Sequence, residues 1–270
     1  ERVVTELAGA PFPATPSRPT KRTMSSHAQD ADSLLHAQLA AADPEQLRLM
    51  AEDCILIDDE DQVVGHASKK DCHLNTNIFG PDAMLHRAFS VFIFDDDFRL
   101  LMQQRADSKI TFPAFWANTC CSHPLYVADE LEEAEQMGVR RAAQRKLEQE
   151  LGIPAEDVPL DSFHFVSRVH YRAASDTVWG EHEIDYILFC RPPRGVTPRP
   201  NANEVQNVRW FTPTQLRQWL ARAPASGDLV SPWFKAIADY RLFHWWDLLA
   251  AGDWDALLAD RAVIHRVSSP

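Results

Sequence analysis

The sequence contains no hydrophobic run long enough to cross a membrane. A spanning helix needs roughly 18 to 20 consecutive apolar residues, whereas each apolar stretch of this chain, such as residues 187–190, is short and bounded by charge. A membrane span is therefore excluded, and we expect a soluble, intracellular protein.

Cysteine is scarce, and basic charge is in deficit. The five cysteines form no repeating pattern, and two of them, Cys120 and Cys121, are adjacent, which favours reduced thiols over a disulfide framework. The 27 Lys and Arg residues are outnumbered by 39 Asp and Glu residues, for a net charge of -12. A general nucleic-acid binder needs a broad basic surface, so that class is disfavoured, whereas a small anionic ligand needs only a local basic cluster.

The length and composition predict one domain with an extension. With 270 residues, 45% of them hydrophobic, the chain can bury one full core, which we place in residues 31–270. Residues 1–30 are predicted to be disordered, because this segment is rich in Pro, Thr and Ser and lacks apolar periodicity. Its local basic excess also suits the remnant of a plastid or mitochondrial transit peptide, and a flexible tail on a cytoplasmic protein is the alternative.

Apolar periodicity predicts the elements of the first half. Leucines and alanines at helical spacing predict a helix over residues 32–53, followed by a strand at 54–57. The apolar runs at 89–94 and 100–104 are separated by three aspartates and predict a β-hairpin.

The second half reads as a helix, three strands and further helices. Apolar residues at helical spacing predict a helix over residues 129–151 that ends at Gly152. Two further helices are predicted to begin at Thr212 and Ser231, each a hydroxyl residue followed by proline. Three strands are predicted at 163–171, 183–191 and 205–211. The fold class is therefore α/β with a mixed sheet.

Two short segments combine a thiol, carboxylates and possible metal ligands. Cys121 and His123 are two residues apart in one segment, and Glu181 and Glu183 are two residues apart in another. Extended chain has a side-chain period of two, so each pair would share one face of a strand. The thiol and a carboxylate could then face each other across one pocket, with a metal beside them.

Histidines and carboxylates in this pattern suit a divalent metal. His73, His86 and His123 precede or occupy predicted strands, and imidazole with carboxylate is a ligand set for Zn, Mn or Fe-type ions. A single histidine is more often an ordinary core or surface residue. The pair Glu181 and Glu183 lies in a run that becomes apolar, where two carboxylates are costly unless a cation offsets them; a solvated strand end is the alternative.

The cysteines and basic residues also have structural alternatives. Cys121 could be a small buried hydrophobe, or a reactive thiol whose pKa is depressed by cationic surroundings. Cys120 should face the other side of the strand and pack. A basic set could clamp a diphosphate by charge-assisted hydrogen bonds, or be solvated; it comprises Lys69, Lys70, Arg105 and Lys109.

Residues 145–153 resemble the end of the Nudix box, a pattern whose carboxylates hold Mg²⁺ against a diphosphate. Lys146 and Gln149 replace two glutamates of that pattern. The resemblance implies a Nudix-type fold with a damaged hydrolytic cluster. Glu150 remains and could help to hold one Mg²⁺ bridged to phosphate oxygens.

Five motifs together resemble the type I isopentenyl-diphosphate isomerases, and occur in that family's order from about Asp53 to the C-terminal helices. They lie at residues 69–74, 85–90, 118–124, 179–185 and 231–234. The resemblance implies a Nudix-like mixed sheet sandwiched by helices, with additional N- and C-terminal helices. It also implies interconversion of isopentenyl and dimethylallyl diphosphate, and we expect a monomer. Ala117 departs from the Thr usual in the family.

The resemblance also implies roles for individual residues. Cys121 would be the catalytic thiol and Glu183 the opposing carboxylate, with Tyr171 close to it. Trp233 would stack on the isoprenoid end, and Glu150 would bind the Mg²⁺ carried by the diphosphate. The phosphates would be held by Lys69, Arg105, Lys109 and the backbone near Ser122. A divalent metal (Zn, Mn or Mg) would be bound by His73, His86, His123, Glu181 and Glu183.

These implied roles give a mechanism. Glu183 with Tyr171 protonates C4, and Cys121 as thiolate removes a proton from C2. The two roles are exchanged in the reverse reaction. The carbocation between these steps requires a dry pocket with an electron-rich surface such as Trp233. Three other classes stay open: a Nudix-type diphosphate hydrolase, a metal-stabilised binding module in which Cys121 is inert, and a thiol hydrolase.

Overall fold

The computed structural model describes residues 26–267, which form ten strands and nine α-helices. The strands are β1 (Asp53–Ile57), β2 (Val63–Ser68), β3 (His86–Ile93), β4 (Leu100–Arg105), β5 (Trp116–Ala117), β6 (Cys120–Ser122), β7 (Phe163–Ala174), β8 (Gly180–Cys190), β9 (Val205–Phe211) and β10 (Ile264–Arg266). The helices are α1 (Ser26–Ala41), α2 (Pro44–Leu49), α3 (Lys69–His73), α4 (Asn75–Ile78), α5 (Met137–Leu151), α6 (Pro213–Ser226), α7 (Pro232–Ile237), α8 (Phe243–Ala251) and α9 (Trp254–Leu257). Residues 1–25 of the predicted extension lie outside the described residues.

The strands form two sheets. The larger sheet has seven strands in the order β10-β7-β8-β3-β1-β2, with β6 also paired to β3. Its β3–β8 and β10–β7 pairs are parallel and the rest antiparallel, so the sheet is mixed as predicted. The smaller sheet has the order β5-β4-β9.

Successive residues of β3 enter two different cores. Phe92 packs into a cluster with Trp245 and Trp246 of α8, whereas Val91 packs into a cluster with Leu147 of α5. Every residue of β3 is buried, which is expected for a strand covered on both faces. The sheet is therefore sandwiched by helices.

The predicted β-hairpin is wrong. β3 and β4 are joined by a tight turn and a single bridge between Phe94 and Leu100, and then diverge: β3 continues in the seven-stranded sheet and β4 in the three-stranded sheet. Both strands carry buried side chains on both faces. A two-stranded hairpin cannot cover both faces of its strands, so each strand joins a larger sheet.

The predicted helix over residues 32–53 is two helices separated at Asp43. The Asp43 carboxylate accepts a hydrogen bond from the backbone N–H of Glu45 at 2.8 Å, and Pro44 occupies the first position of α2. An N-cap and a proline both start a new helix, because proline cannot donate the hydrogen bond that a continuous helix needs.

Helix α5 is shorter at its start than the predicted helix over residues 129–151. Glu135 and Gln136 have left-handed φ angles of 50° and 55°, so the regular helix begins only at Met137. Its predicted end is confirmed: Gly152 has φ 58° and donates its N–H to Glu148 O. The predicted starts of α6 and α7 are also confirmed, with a full capping box at Thr212.

No helix within residues 26–267 is long and apolar enough to span a bilayer.

Candidate active site and metal centre

The register of four strands brings the predicted catalytic side chains to one face of the larger sheet. The parallel β3–β8 pair aligns His86 with Glu183, and the antiparallel β7–β8 pair aligns Tyr171 with Glu183. The β3–β6 pair aligns Ser90 with Cys121. Side chains of aligned residues share a face, so the thiol, the phenol and the carboxylate meet over the centre of the sheet.

The five predicted metal ligands converge as well. Their ligand atoms all lie within 4.8 Å of one another, and all five residues are buried; they are His73, His86, His123, Glu181 and Glu183. The expectation that each histidine lies on or before a strand fails for His73, which ends α3. Its Nδ1 lies 2.6 Å from Lys69 O, and since a carbonyl only accepts, Nδ1 donates and Nε2 is left to face the cluster.

The inward atoms of the cluster fit a divalent cation. His73 Nε2 lies 2.7 Å from Glu181 Oε2, yet within residues 26–267 neither atom has a hydrogen bond, and both ring nitrogens of His86 are also buried without one. Burial, together with the neighbouring His86 and His73, lowers the pKa of His123 well below its ordinary value, so its imidazole is neutral and able to bind a metal. Buried polar atoms without partners are rare, and a cation would satisfy these.

Glu183 links the metal cluster to the proton-transfer groups. It accepts hydrogen bonds from His123 Nε2 at 2.7 Å and from the Tyr171 hydroxyl at 2.5 Å. Burial would raise the pKa of Glu183, but the neighbouring imidazole of His86 and the hydrogen bond from Tyr171 outweigh burial and bring the pKa to about 2. Burial and the adjacent Glu183 raise the pKa of Tyr171 well above its usual range, so Tyr171 keeps its proton.

Cys121 is a protonated thiol in this arrangement. Burial raises the pKa of Cys121 to about 12, although the Arg105 guanidinium opposes the shift; Arg105 Nη1 lies 3.9 Å from Cys121 Sγ. The prediction that cationic surroundings depress the pKa of Cys121 is therefore wrong: the pKa is raised, because the effect of burial outweighs the effect of one cation. Cys120 faces the other core as predicted and is fully buried.

The cavity beside Cys121 is small and polar. Its lining includes the predicted phosphate-binding and stacking residues Lys69, Arg105, Lys109, Ser122 and Trp233, whereas Lys70 lies outside it. The cavity volume is about 30 Å³, room for about one or two water molecules. The Trp233 indole donates a hydrogen bond to Asn118 Oδ1 at 3.1 Å, which fixes its ring beside the cavity.

Comparison with known proteins identifies the family. A NUDIX domain model matches residues 84–234. The chain is 49% identical over 225 residues to isopentenyl-diphosphate Delta-isomerase 1 of Bos taurus, covering 83% of this chain and 96% of that protein. It is 54% identical over 210 residues to the isopentenyl-diphosphate delta-isomerase of Phaffia rhodozyma, covering 77% and 82%.

The chain belongs to the isopentenyl-diphosphate delta-isomerase family. A relative from Cannabis sativa, a chloroplastic isopentenyl-diphosphate Delta-isomerase 1, is 49% identical over 232 residues, covering 85% of this chain and 79% of that protein. A crystal structure of a Deinococcus radiodurans protein matches with a TM-score of 0.48 and 19% identity, covering 70% of this chain and 100% of that one. The match to the NUDIX domain model and the curated relatives confirm the resemblance and the Nudix-type fold predicted from the sequence.

In this member of the isomerase family the altered Nudix box is held by a buried lysine. Lys146 Nζ lies 3.2 Å from Glu150 Oε1, and Gln103 donates to Glu150 Oε2 at 3.1 Å. Although burial opposes it, the charge of Glu150 raises the pKa of Lys146. A cation supplied by the chain therefore sits where a hydrolytic box has a further carboxylate, which argues against the hydrolase alternative.

Three buried residues at the site were missed by the sequence analysis. Glu204 Oε2 lies 2.5 Å from Lys109 Nζ, and Asp185 accepts a hydrogen bond from Ser90 Oγ at 2.7 Å. No motif marks Glu204, and Ser90 belongs to the motif at residues 85–90 but was given no role. Asp185 could have been found, because it continues the two-residue spacing of Glu181 and Glu183 along the strand.

Proposed function

We propose that this protein interconverts isopentenyl diphosphate and dimethylallyl diphosphate. The observation that carries the proposal is the meeting of Cys121 with the hydrogen-bonded pair Tyr171 and Glu183 in one small cavity. Moving a double bond from C3–C4 to C2–C3 requires one proton added at C4 and one removed at C2. Two proton-transfer groups in one cavity provide this chemistry, and the named activity of the relatives agrees with it.

The two directions start from two different protonation states of the same groups. In the forward direction the pair Glu183 and Tyr171 delivers a proton to C4, and Cys121 as thiolate accepts the proton from C2. In the reverse direction Cys121 gives its proton to C2, and Glu183 accepts one from C4. The state with a protonated Cys121 thiol and an ionised Glu183 is the starting state for the reverse reaction. A forward turnover ends in this state, and a reverse turnover ends in the state from which the forward reaction starts.

A divalent metal would be held by the His and Glu cluster. When bound, it would act as a Lewis acid that sets the basicity of the Glu183 carboxylate and fixes its orientation. Glu150 would contact the Mg²⁺ that accompanies the diphosphate, which requires its contacts with Lys146 and Gln103 to rearrange.

The substrate would be oriented by charge at one end and by an aromatic face at the other. Lys69, Arg105, Lys109 and the backbone at Ser122 would bind the phosphates. The face of Trp233 would cover the prenyl chain and stabilise its positive charge, and the small cavity would exclude water that could capture the cation.

Proton NMR tests the proposal. Purified protein is incubated with isopentenyl diphosphate, Mg²⁺ and deuterated water while dimethylallyl signals and free phosphate are followed. We expect dimethylallyl diphosphate with incorporated deuterium and no phosphate. Phosphate release would instead identify a hydrolase, and no reaction with the metal retained would identify a binding module.

Variants of the two proton-transfer groups test their roles. We expect Cys121→Ala and Glu183→Gln each to reduce turnover by at least about 10²-fold, with retained folding by circular dichroism. Substantial turnover by either variant would exclude the assignment. Cys190→Ala is the control, since this buried thiol lies in the other core at the end of β8, does not line the cavity and should be dispensable for proton transfer.

A further inference from the structure

A fourth carboxyl group lines the candidate active site beside Glu150, Glu181 and Glu183, and it has no part in the proton transfer or the metal cluster described above. Asp185 follows Glu181 and Glu183 at the same two-residue spacing on β8, so it faces the same side of the sheet. It lines the same cavity as Cys121 and Tyr171 and is only 1% exposed. It does not belong to the group of five converging ligand atoms.

One oxygen of Asp185 is anchored and the other is free. Oδ2 accepts the hydrogen bond from Ser90 Oγ, whereas Oδ1 is buried and has no hydrogen-bond partner among the described residues. A buried acceptor without a partner destabilises a fold, and such an atom in a cavity points to a role toward a bound ligand.

The strand register places Asp185 between the two proton-transfer groups. Glu183 precedes it on β8, and Ala88 lies opposite it on β3. The next residue of β3 on the same face is Ser90, which is aligned with Cys121 on β6. Because Ala88 has a small side chain, the Asp185 carboxyl borders open space between the carboxylate on one side and the thiol on the other.

The cavity also contains a fixed positive charge that a carbocation would experience. The Arg105 guanidinium lies 5.7 Å from the centre of the Trp233 ring and 3.9 Å from Cys121 Sγ. A cation formed on the prenyl chain beside Trp233 would be repelled by this group. The free oxygen of Asp185 on β8 carries partial negative charge and would offset this repulsion, most strongly where water is excluded.

We propose that Asp185 is a further catalytic residue, whose free oxygen faces C3 of the prenyl chain and stabilises the positive charge that develops there. This inference rests on the proposed function. Addition of a proton to C4 consumes the π electrons of the C3–C4 double bond and leaves the positive charge on C3; loss of the proton from C2 leaves the C2–H electron pair behind, which forms the new π bond between C2 and C3. No oxidant or reductant is needed.

The test compares two ligands that differ in charge at C3. One is a diphosphate in which a tertiary ammonium replaces C3, and the other is saturated isopentyl diphosphate, similar in shape but neutral there. We expect Asp185→Leu to lower the preference for the ammonium ligand by about tenfold or more, while the affinity for the neutral ligand changes by less than about threefold. Isothermal titration calorimetry on the metal-loaded protein measures both affinities.

A second variant keeps the test decisive if Asp185→Leu does not fold. Asp185→Asn preserves the shape but replaces one carboxyl oxygen with an NH₂ donor, which should lower the preference by about threefold or more. An unchanged preference in a folded variant would overturn the role of Asp185. The NMR assay on the wild-type protein separates the two claims: an active wild type with unchanged variant preferences refutes only the role of Asp185, whereas an inactive wild type refutes the proposed function.

Discussion

At the scale of single residues, buried ion pairs determine which cations in the cavity can change charge near neutral pH. Burial lowers the pKa of Lys109 to about 8, although Glu204 opposes the shift. Glu204 itself is held by the amide of Gln46 at 2.9 Å, and its pKa is about 2 because Lys109 and Lys146 outweigh burial. Lys109 is thus the titrating member of the pair, while Glu204 stays ionised.

This pair predicts a pH dependence of substrate capture. Lysine is charged below its pKa and neutral above it, so the attraction between Lys109 and the diphosphate should be lost as pH rises through about 8. We expect kcat/KM to fall above that pH, since this parameter reports pKa values of the free enzyme. In Lys109→Arg, whose guanidinium stays charged, the decline should disappear, and an unchanged decline in that variant would show that another group titrates.

The metal ligands could be predicted from motifs, but the carboxylate that pairs with Lys109 could not. His73, His86 and Glu183 belong to short patterns with recognisable chemistry, so their convergence was expected before the fold was known. Glu204 lies outside every motif and acts only through a contact between segments distant in sequence, because 95 positions separate it from Lys109. The pKa of Cys121 also depends on burial, which no local pattern reports.

At the scale of elements, the sequence predicted helix ends correctly where contacts within one short segment determine them. The proline and capping box of Thr212 start α6 through local contacts, and Gly152 ends α5 in the same way. The hairpin prediction over residues 89–94 and 100–104 failed because the sheet that each strand joins is decided by distant partners.

The loop between β4 and β5 contains two residues in the left-handed region, which rarely suits side chains. Phe112 has φ 47° and Ala114 has φ 64°. Residues of this loop line the catalytic cavity on one side and a neighbouring cavity of about 700 Å³ on the other, and Lys109 lines both. The strained backbone at Phe112 and Ala114 therefore belongs to a loop that separates the two cavities, beside the candidate active site.

This strain predicts a stabilising substitution. Left-handed backbone costs a non-glycine residue roughly 1–2 kcal/mol, whereas the flexibility of glycine in the unfolded chain offsets part of that gain. Ala114→Gly should therefore raise the free energy of unfolding by about 0.5–1 kcal/mol, measured by urea denaturation. The matched control is Gly227→Ala, at φ 79° with open space around its Cβ position, which should lower stability by a similar amount; equal signs for the two variants would contradict the strain.

At the scale of the whole molecule, the metal cluster joins segments far apart along the chain. His73 comes from α3, His86 from β3, Glu181 and Glu183 from β8, and His123 directly follows β6. Helix α3 also carries Lys69, one of the residues proposed to bind phosphate. Binding a cation would therefore connect the stability of the fold to the geometry of the substrate site.

Removal of the metal should consequently reduce stability as well as activity. A cation that binds only the folded state stabilises it by mass action, about 2.7 kcal/mol at a hundredfold excess over Kd, and its loss leaves buried ligand atoms without partners. We expect a strong chelator to lower the Tm of the wild-type protein by several degrees, with recovery after a divalent metal is added back. In His73→Ala, which removes a ligand, the Tm should start lower and respond less to the chelator. An equal response in both proteins would mean that the stabilising ion binds elsewhere, because only a cation held by this cluster depends on the His73 imidazole.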